Sequence, residues 1–331
     1  MFEREKQKKL TAVLAVILAI FIAAVIWLSN VMFNFALNPD SKYTISDLLS
    51  TDSATDPVQD DQGAAVEASP ELQKFYEEAA VWFETGGAVS LTSEDGLALK
   101  ARYFPQENSH RYAIICHGYG GNGAQMFAYA RRFFNVGCSV LVPDARAHGE
   151  SEGEYYGMGW PERMDILGWA DQLIAADPDA EIVLFGVSMG GATVMMTAGE
   201  ELPEQIKCIV EDCGYTSVWD EFSLQLKSLF DAPEFPLMFT TDLVCRLRAG
   251  YGFREASSVE QLKKAEVPML FIHGKEDTFV PYSMLDQVYE TCASTEKEKL
   301  TVPGAAHGAA AATDPDLYWS TVEAFINKHL N

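Results

Sequence analysis

Residues 181–191 constrain the fold more than any other stretch, because they read as a strand, a tight turn and a helix without a gap. The apolar run 182–185 is short enough for one buried strand, and 192–199 suits a helix. Gly186 and Gly190 flank Ser188 at the bend, where a strained turn leaves no room for neighbouring Cβ atoms. A helix N-terminus behind a serine also favours negative charge that forms there. The segment predicts Ser188 as a nucleophile, with a structural turn as the alternative.

The remainder of the chain extends this pattern into an α/β fold. Alternating runs on either side of Gly96, at 88–93 and 97–104, predict an antiparallel hairpin. Continuous apolar runs then alternate with helical stretches, and they predict strands at 112–116, 139–142, 182–185, 208–210, 269–272 and 300–302. Strands that are apolar throughout and separated by helices indicate a parallel sheet covered on both faces. We therefore expect one doubly wound, mostly parallel sheet within a single domain at 72–331.

One region, at about 215–254, interrupts the alternation. It shows no strand pattern, but Trp219, Phe222 and Leu226 recur at helical spacing, and Pro233 and Pro236 break that spacing before it resumes. Each residue taken alone could belong to the ordinary core. As a group within an insertion, they predict a small helical cap that roofs a pocket.

The N-terminus contains a candidate membrane anchor. Residues 10–29 carry no charge, and at about 1.5 Å per helical residue they cover roughly 30 Å, the thickness of the hydrocarbon layer. Four basic residues lie in segment 1–9, so the positive-inside rule places that segment in the cytoplasm. The residues after the span, from about residue 30, then lie on the extracytoplasmic side of the cell membrane. A cleaved signal peptide is the alternative, with a weak cleavage site at Ala36. Residues 30–71 predict an acidic flexible tether.

Charge and cysteine content narrow the function classes. The formal net charge is −24, and the few Lys and Arg residues form no basic stripe, so we expect no nucleic-acid partner. The six cysteines show no C-x-x-C spacing, and Cys208 and Cys213 are too far apart along an extended strand to pair. We expect no disulfide framework, no metal and no cofactor.

A serine needs a nearby base, and the base needs a carboxylate that fixes its tautomer. Asp277 follows the strand at 269–272, and His307 follows the strand at 300–302. Because the carboxyl ends of parallel strands share one edge, these residues can meet Ser188 there. Asp212, after the strand at 208–210, is the alternative acid. We interpret His117, His148 and Asp144, with His273, as residues that hold their loops.

Five ordered motifs make residues 81–331 resemble the α/β-hydrolase family, in particular its serine esterase, lysophospholipase and serine aminopeptidase-like branches. They are His117-Gly-Tyr-Gly-Gly121, Asp144-Ala-Arg-Ala-His-Gly-Glu-Ser151, the turn at 186–190, His273-Gly-Lys-Glu-Asp277, and Ala306-His307-Gly308. The second departs from the Asp-Arg-Gly-His-Gly-x-Ser form of relatives. The resemblance implies Ser188 as nucleophile, His307 as base and Asp277 as acid, with the backbone N–H groups of Tyr119 and Met189 forming an oxyanion hole.

The resemblance also implies the reaction. We expect a serine hydrolase that cleaves a small carboxylic ester through an acyl-enzyme; hydrolysis of amides, including aminopeptidase action on a short peptide, uses the same residues and stays open. A remote alternative comes from 118–123, which fits G-x-G-x-x-G with Asp144 about 20 residues later, as in dinucleotide-binding proteins. That alternative leaves Ser188, Asp277 and His307 without a role. A hydrolase fold used only for binding is the third possibility.

Overall fold

The computed structural model describes residues 2–42 and 69–331, and its centre is one eight-stranded sheet. The strands are β1 (Gly87–Thr92), β2 (Ala98–Phe104), β3 (Arg111–Cys116), β4 (Ser139–Pro143), β5 (Glu181–Val187), β6 (Ile206–Asp212), β7 (Met269–Gly274) and β8 (Lys297–Val302). Their order is β1-β2-β4-β3-β5-β6-β7-β8. Strands β1 and β2 form the predicted antiparallel hairpin, β2 pairs antiparallel with β4, and all other pairs are parallel. The predicted doubly wound, mostly parallel sheet is confirmed.

The helices cover the sheet and form the cap. They are α1 (Phe2–Leu37), α2 (Pro70–Phe83), α3 (Phe127–Asn135), α4 (Glu162–Ala176), α5 (Met189–Thr197), α6 (Val218–Phe230), α7 (Leu237–Arg248), α8 (Ser258–Leu262), α9 (Ser283–Thr291), α10 (Ala310–Thr313) and α11 (Pro315–His329), and a 3-10 helix spans Gly123–Met126. Helices α6 and α7 lie between β6 and β7, where the cap is predicted.

Alternate residues of each central strand face opposite sides of the sheet, and both sides are buried. In β5, Val183 and Phe185 join one apolar cluster, which includes Phe133 of α3. Ile182 and Leu184 join the other, with Trp169 of α4. Burial on both faces explains why the parallel strands read as unbroken apolar runs.

Helix α1 continues eight residues beyond the predicted end of the apolar span at Ser29. The extension is helical because one face, Phe33, Ala36 and Leu37, is buried against the cap cluster. It ends at Leu37 because residue 38 precedes Pro39, and a residue before proline disfavours helical geometry. The expected tether at 30–71 therefore begins with helix, and its residues 43–68 lie outside the described part of the chain.

Candidate active site

Ser188 lies on a strained turn between β5 and α5. Its backbone has φ 56° and ψ −117°, a conformation that residues other than glycine rarely adopt. Both flanking glycines are required by close backbone contacts. A Cβ on Gly186 would lie 2.1 Å from the carbonyl oxygen of Gly190, and one on Gly190 would lie 2.2 Å from the carbonyl oxygen of Cys116. The turn therefore holds the serine hydroxyl at the carboxyl edge of the sheet.

At that edge the structure brings together the three predicted side chains. The Oγ of Ser188 lies 2.8 Å from Nε2 of His307, and Nδ1 of the same imidazole lies 2.7 Å from Oδ2 of Asp277. His307 is fully buried, while Ser188 and Asp277 keep 8% and 5% exposure. The three groups form one continuous hydrogen-bonded row.

The charge state of Asp277 fixes the direction of these hydrogen bonds. Burial by itself would raise the pKa of its carboxyl, but His307 and His273 outweigh burial and lower the pKa to about 2. Asp277 is therefore a carboxylate that only accepts, so Nδ1 of His307 donates to it. In the neutral imidazole Nε2 then accepts from the hydroxyl of Ser188, the arrangement that a general base requires.

Two opposing effects set the proton affinity of His307. Burial disfavours the imidazolium, but contacts with Cys213 and Asp277 outweigh it, and the pKa of His307 is raised well above its usual value. Burial raises the pKa of the Cys213 thiol to about 12, so that thiol is uncharged at neutral pH. The negative charge that stabilises the imidazolium therefore belongs to Asp277.

Asp277 is held rigidly by its surroundings. Its Oδ1 accepts backbone N–H groups of Phe279 at 3.0 Å and Val280 at 2.9 Å. Nε2 of His273 lies 3.1 Å from Oδ2 and 2.8 Å from the carbonyl oxygen of Val280. The sequence indicates a loop-holding role for His273, and its His-Gly turn gives no signal that its ring also contacts the carboxylate.

The alternative acid, Asp212, does not hydrogen-bond His307. Its Oδ2 accepts the hydroxyl of Tyr318 at 2.8 Å, and its carbonyl oxygen accepts the backbone N–H of Ser188, also at 2.8 Å. Burial raises the pKa of its carboxyl to about 6. The geometry thus makes Asp212 a support for the serine turn.

The loop after β3 contacts the serine from the other side. A Cβ on Gly118 would lie 3.6 Å from Cβ of Ser188, so the backbone at 118–119 directly adjoins the nucleophile position. His117 accepts the backbone N–H of Ala145 at Nε2, and His148 accepts that of Gly120 at Nε2. Both imidazoles hold loops, as their sequence context indicates.

Asp144 is also engaged within this loop region. Its two carboxylate oxygens accept the backbone N–H groups of Gly123 at 2.7 Å and Glu150 at 2.8 Å. A dinucleotide site would need this carboxylate for a ribose hydroxyl. Because Asp144 instead ties two loops together, the glycine-rich segment fits an oxyanion loop better than a nucleotide cradle.

One group of potential metal ligands occurs among the described residues: Cys213, Asp277 and His307, whose ligand atoms lie within 4.8 Å of one another. Nδ1 of His307 already faces Asp277, and its Nε2 faces Ser188. A neutral thiol is also a poor ligand, since metals bind the thiolate. The donor set suits proton transfer better than metal binding.

The cap adds residues beside the site that sequence reasoning did not single out. The ring centroids of Phe279 and His307 lie 5.0 Å apart. Nε2 of Gln225 in α6 donates to the carbonyl oxygen of Phe279 at 3.1 Å. Gln225 also donates to Glu221, whose buried Oε2 has no partner among the described residues. Only the helical spacing of α6 pointed to this region, and that pattern does not identify which polar side chain faces inward.

Comparison with known proteins agrees with this architecture. A family model described as alpha/beta hydrolase fold matches residues 114–243, and one described as serine aminopeptidase S33 matches residues 236–314. YqkD of Bacillus subtilis is 27% identical over 241 residues, covering 72% of this chain and 79% of that protein. YNL320W of Saccharomyces cerevisiae, described as a membrane protein, is 23% identical over 239 residues, 72% of this chain and 78% of its own. The solved structure of esterase Pf2001 from Pyrococcus furiosus superposes with a TM-score of 0.62 at 23% identity, covering 74% of this chain and 92% of that one.

Proposed function

We propose that this chain, which matches family models described as alpha/beta hydrolase fold and serine aminopeptidase S33, is a serine hydrolase that cleaves carboxylic esters through an acyl-enzyme. The observation that carries the proposal is the unbroken row of hydrogen bonds from Ser188 through His307 to Asp277. An alcohol is unreactive at neutral pH without such a base, and the row supplies both the base and its orienting carboxylate.

In this mechanism Ser188 attacks the ester carbonyl while Nε2 of His307 takes the hydroxyl proton. The imidazolium, stabilised by Asp277, returns the proton to the departing alcohol, and water then releases the acid by the same steps in reverse. The backbone N–H groups of Tyr119 and Met189 would hold the oxyanion. Loss of one such donor costs about 3 kcal/mol in comparable sites.

One observation favours amide hydrolysis as a second candidate. Oε2 of Glu221 has no hydrogen-bond partner among residues 2–42 and 69–331, and it is buried in the cap, near His307 and Asp277. A carboxylate there would suit the amino terminus of a peptide, although burial raises the pKa of Glu221 to about 7 and so leaves it only partly charged at neutral pH. Peptide binding is therefore the weaker proposal.

We place α1 in a membrane, with the hydrolase domain on the extracytoplasmic side. By length and composition, its 34-residue stretch Arg4–Leu37 is able to cross a bilayer, and the most apolar part is not buried by the described protein. Retention as an anchor is supported by Phe33 and Leu37, which are fully buried against the domain. Cleavage after Ala36 would remove Phe33 from that packing.

The test uses the full chain in detergent, since α1 packs on the domain. Wild-type protein and Ser188→Ala are assayed on nitrophenyl esters of rising chain length and on aminoacyl anilides. We expect ester turnover that falls by about a millionfold in the variant. Turnover of anilides with little ester hydrolysis, and its selective loss in Glu221→Gln, would instead establish the amide reaction. Most of the ester activity surviving in Ser188→Ala would refute the nucleophile.

A further inference from the structure

The extension of α1 fixes the height of the cap relative to the membrane. Oγ of Ser29, the last residue of the membrane span predicted at 10–29, lies 2.6 Å from Oγ1 of Thr240 in α7. In the proposed placement of α1, residues 10–29 cross the hydrocarbon layer of about 30 Å, which puts Ser29 at the membrane face on the side of the domain. The middle of α7 therefore lies at the membrane face.

Two aromatic side chains of the cap are exposed at this height. Phe239 precedes Thr240 in the chain and is 48% exposed, and Phe235, four residues earlier and just before α7, is 73% exposed. Their ring centroids are 5.8 Å apart, so they form one apolar patch. Exposed aromatic rings beside a membrane span are typical of side chains that enter the lipid interface.

Behind this patch, α1 and the cap enclose an apolar pocket. Its cavity volume is about 40 Å³, and part of it is open to solvent. Its walls come from three helices: Met32 and Phe35 of α1, Leu226 and Leu229 of α6, and Leu237 and Met238 of α7. Leu237 and Met238 lie in the chain between Phe235 and Phe239, so the patch adjoins the pocket.

Two residues of the pocket wall form hydrogen bonds with residues beside the candidate active site. Gln225, in its wall, donates to the carbonyl oxygen of Phe279, whose ring contacts His307. Ala36, also in its wall, accepts a 2.7 Å hydrogen bond from the hydroxyl of Tyr119, the residue expected to hold the oxyanion. The wall of the pocket therefore contacts residues that adjoin the reacting groups.

We propose that this pocket binds the acyl chain of an ester lipid drawn from the membrane that α1 spans, with Phe235 and Phe239 inserted in the same leaflet. The proposal rests on the ester hydrolase function above and names its substrate class. Ser188 attacks the lipid's acyl carbonyl, the lipid alcohol leaves with the proton from His307, and water releases the fatty acid. The anchor helix is then part of the substrate site as well as a tether.

The pocket is tested with the full chain in phosphatidylcholine nanodiscs, using 4-nitrophenyl dodecanoate dissolved in the bilayer and water-soluble 4-nitrophenyl acetate. Leu229→Trp narrows the pocket and is expected to lower the ratio of dodecanoate to acetate kcat/KM at least about tenfold, because several buried methylenes lose their contacts. Ser228→Trp, exposed on the same helix, is the matched control. The same dodecanoate-to-acetate ratio in the wild type, Leu229→Trp and Ser228→Trp would refute binding of the acyl chain in this pocket.

The membrane patch is tested in the same nanodiscs. Phe235→Ser combined with Phe239→Ser is expected to slow dodecanoate hydrolysis about tenfold and leave acetate hydrolysis unchanged, because burial of one phenylalanine contributes at least that factor. Val81→Ser, an equally exposed apolar residue of α2, is the control. An unchanged dodecanoate rate would overturn insertion of the patch.

Direct labelling separates this proposal from the enzyme function. All six native cysteines are buried, so a thiol-reactive fluorophore will mark Phe235→Cys selectively. We expect quenching by spin-labelled lipid at this position and by aqueous iodide at the Val81→Cys control. Iodide quenching alone at both sites would refute the docked cap even if esters are cleaved. Lipid quenching without turnover of any ester would refute the hydrolase function, and with it the ester-lipid substrate.

Discussion

Replacing Asp277 by asparagine removes one charge and leaves the shape of the side chain almost unchanged, and the structure dictates how the amide will sit. The backbone N–H groups of Phe279 and Val280 both point at Oδ1, so the amide oxygen must take that position. Its NH₂ group then faces Nδ1 of His307. Because an NH₂ group donates, Nδ1 must become an acceptor, and the proton moves to Nε2.

This tautomer presents an N–H to Ser188, where a base is required. The wrong tautomer at a comparable serine site lowers kcat by about 10⁴, which corresponds to about 5 kcal/mol of activation free energy. The charge change also has a pH signature. His307 acts as the neutral base, so activity is lost as pH falls through its pKa, which is raised in the native protein. Without the Asp277 carboxylate that pKa falls, and the acid limb of the residual activity moves to lower pH.

The assay measures kcat/KM for 4-nitrophenyl acetate between pH 5 and 9 with the full chain in detergent. Asp212→Asn is the control, since Asp212 contacts the serine turn and Tyr318 but does not hydrogen-bond His307. We expect this control to lose less than about tenfold, the scale of one net hydrogen bond. A larger loss in Asp212→Asn than in Asp277→Asn, or an acid limb that does not move, would refute this reasoning.

Two stability predictions complete the set. Gly186→Ala places a Cβ 2.1 Å from the rigid backbone oxygen of Gly190. We expect this to lower the free energy of unfolding by about 3 kcal/mol, which corresponds to a fall in Tm of roughly 6 °C or more. Gly87→Ala is the control, because the nearest contact of its Cβ is at 3.7 Å and Tm should stay almost unchanged. Phe33→Ala empties a fully buried site between α1 and the cap, and we expect it to lower the stability of that packing by about 3–5 kcal/mol. The loss is measured as faster proteolysis of the cap. Trp27 is exposed, so Trp27→Ala should leave the rate of proteolysis unchanged. Equal effects in each pair would contradict the packing described here.

Local elements were predictable because their causes are local. The apolar runs of β3 to β7 are buried on both faces and therefore carry a clear pattern. The glycines around Ser188 signal a turn whose backbone contacts no larger side chain tolerates. Helix α1 extends beyond the predicted span at 10–29 because Phe33 and Leu37 are buried against the cap, and absence of charge did not mark the end of the span, since residues 30–39 carry no charge either. That spacing of four was visible in the sequence, but its partner surface was not.

Local sequence patterns specify the strand and helix order, the strained turn at Ser188, the apolar N-terminal helix, and the placement of Asp277 and His307 after successive strands. Tertiary structure alone decided which groups meet. Ser188 and His307 are 119 residues apart, and Ser29 and Thr240 are 211 apart, so their contacts depend on the packing of the whole sheet and cap. Backbone preference acts over a few neighbouring residues, whereas a hydrogen bond needs its two atoms within about 3 Å, and only the assembled fold sets distances of that kind.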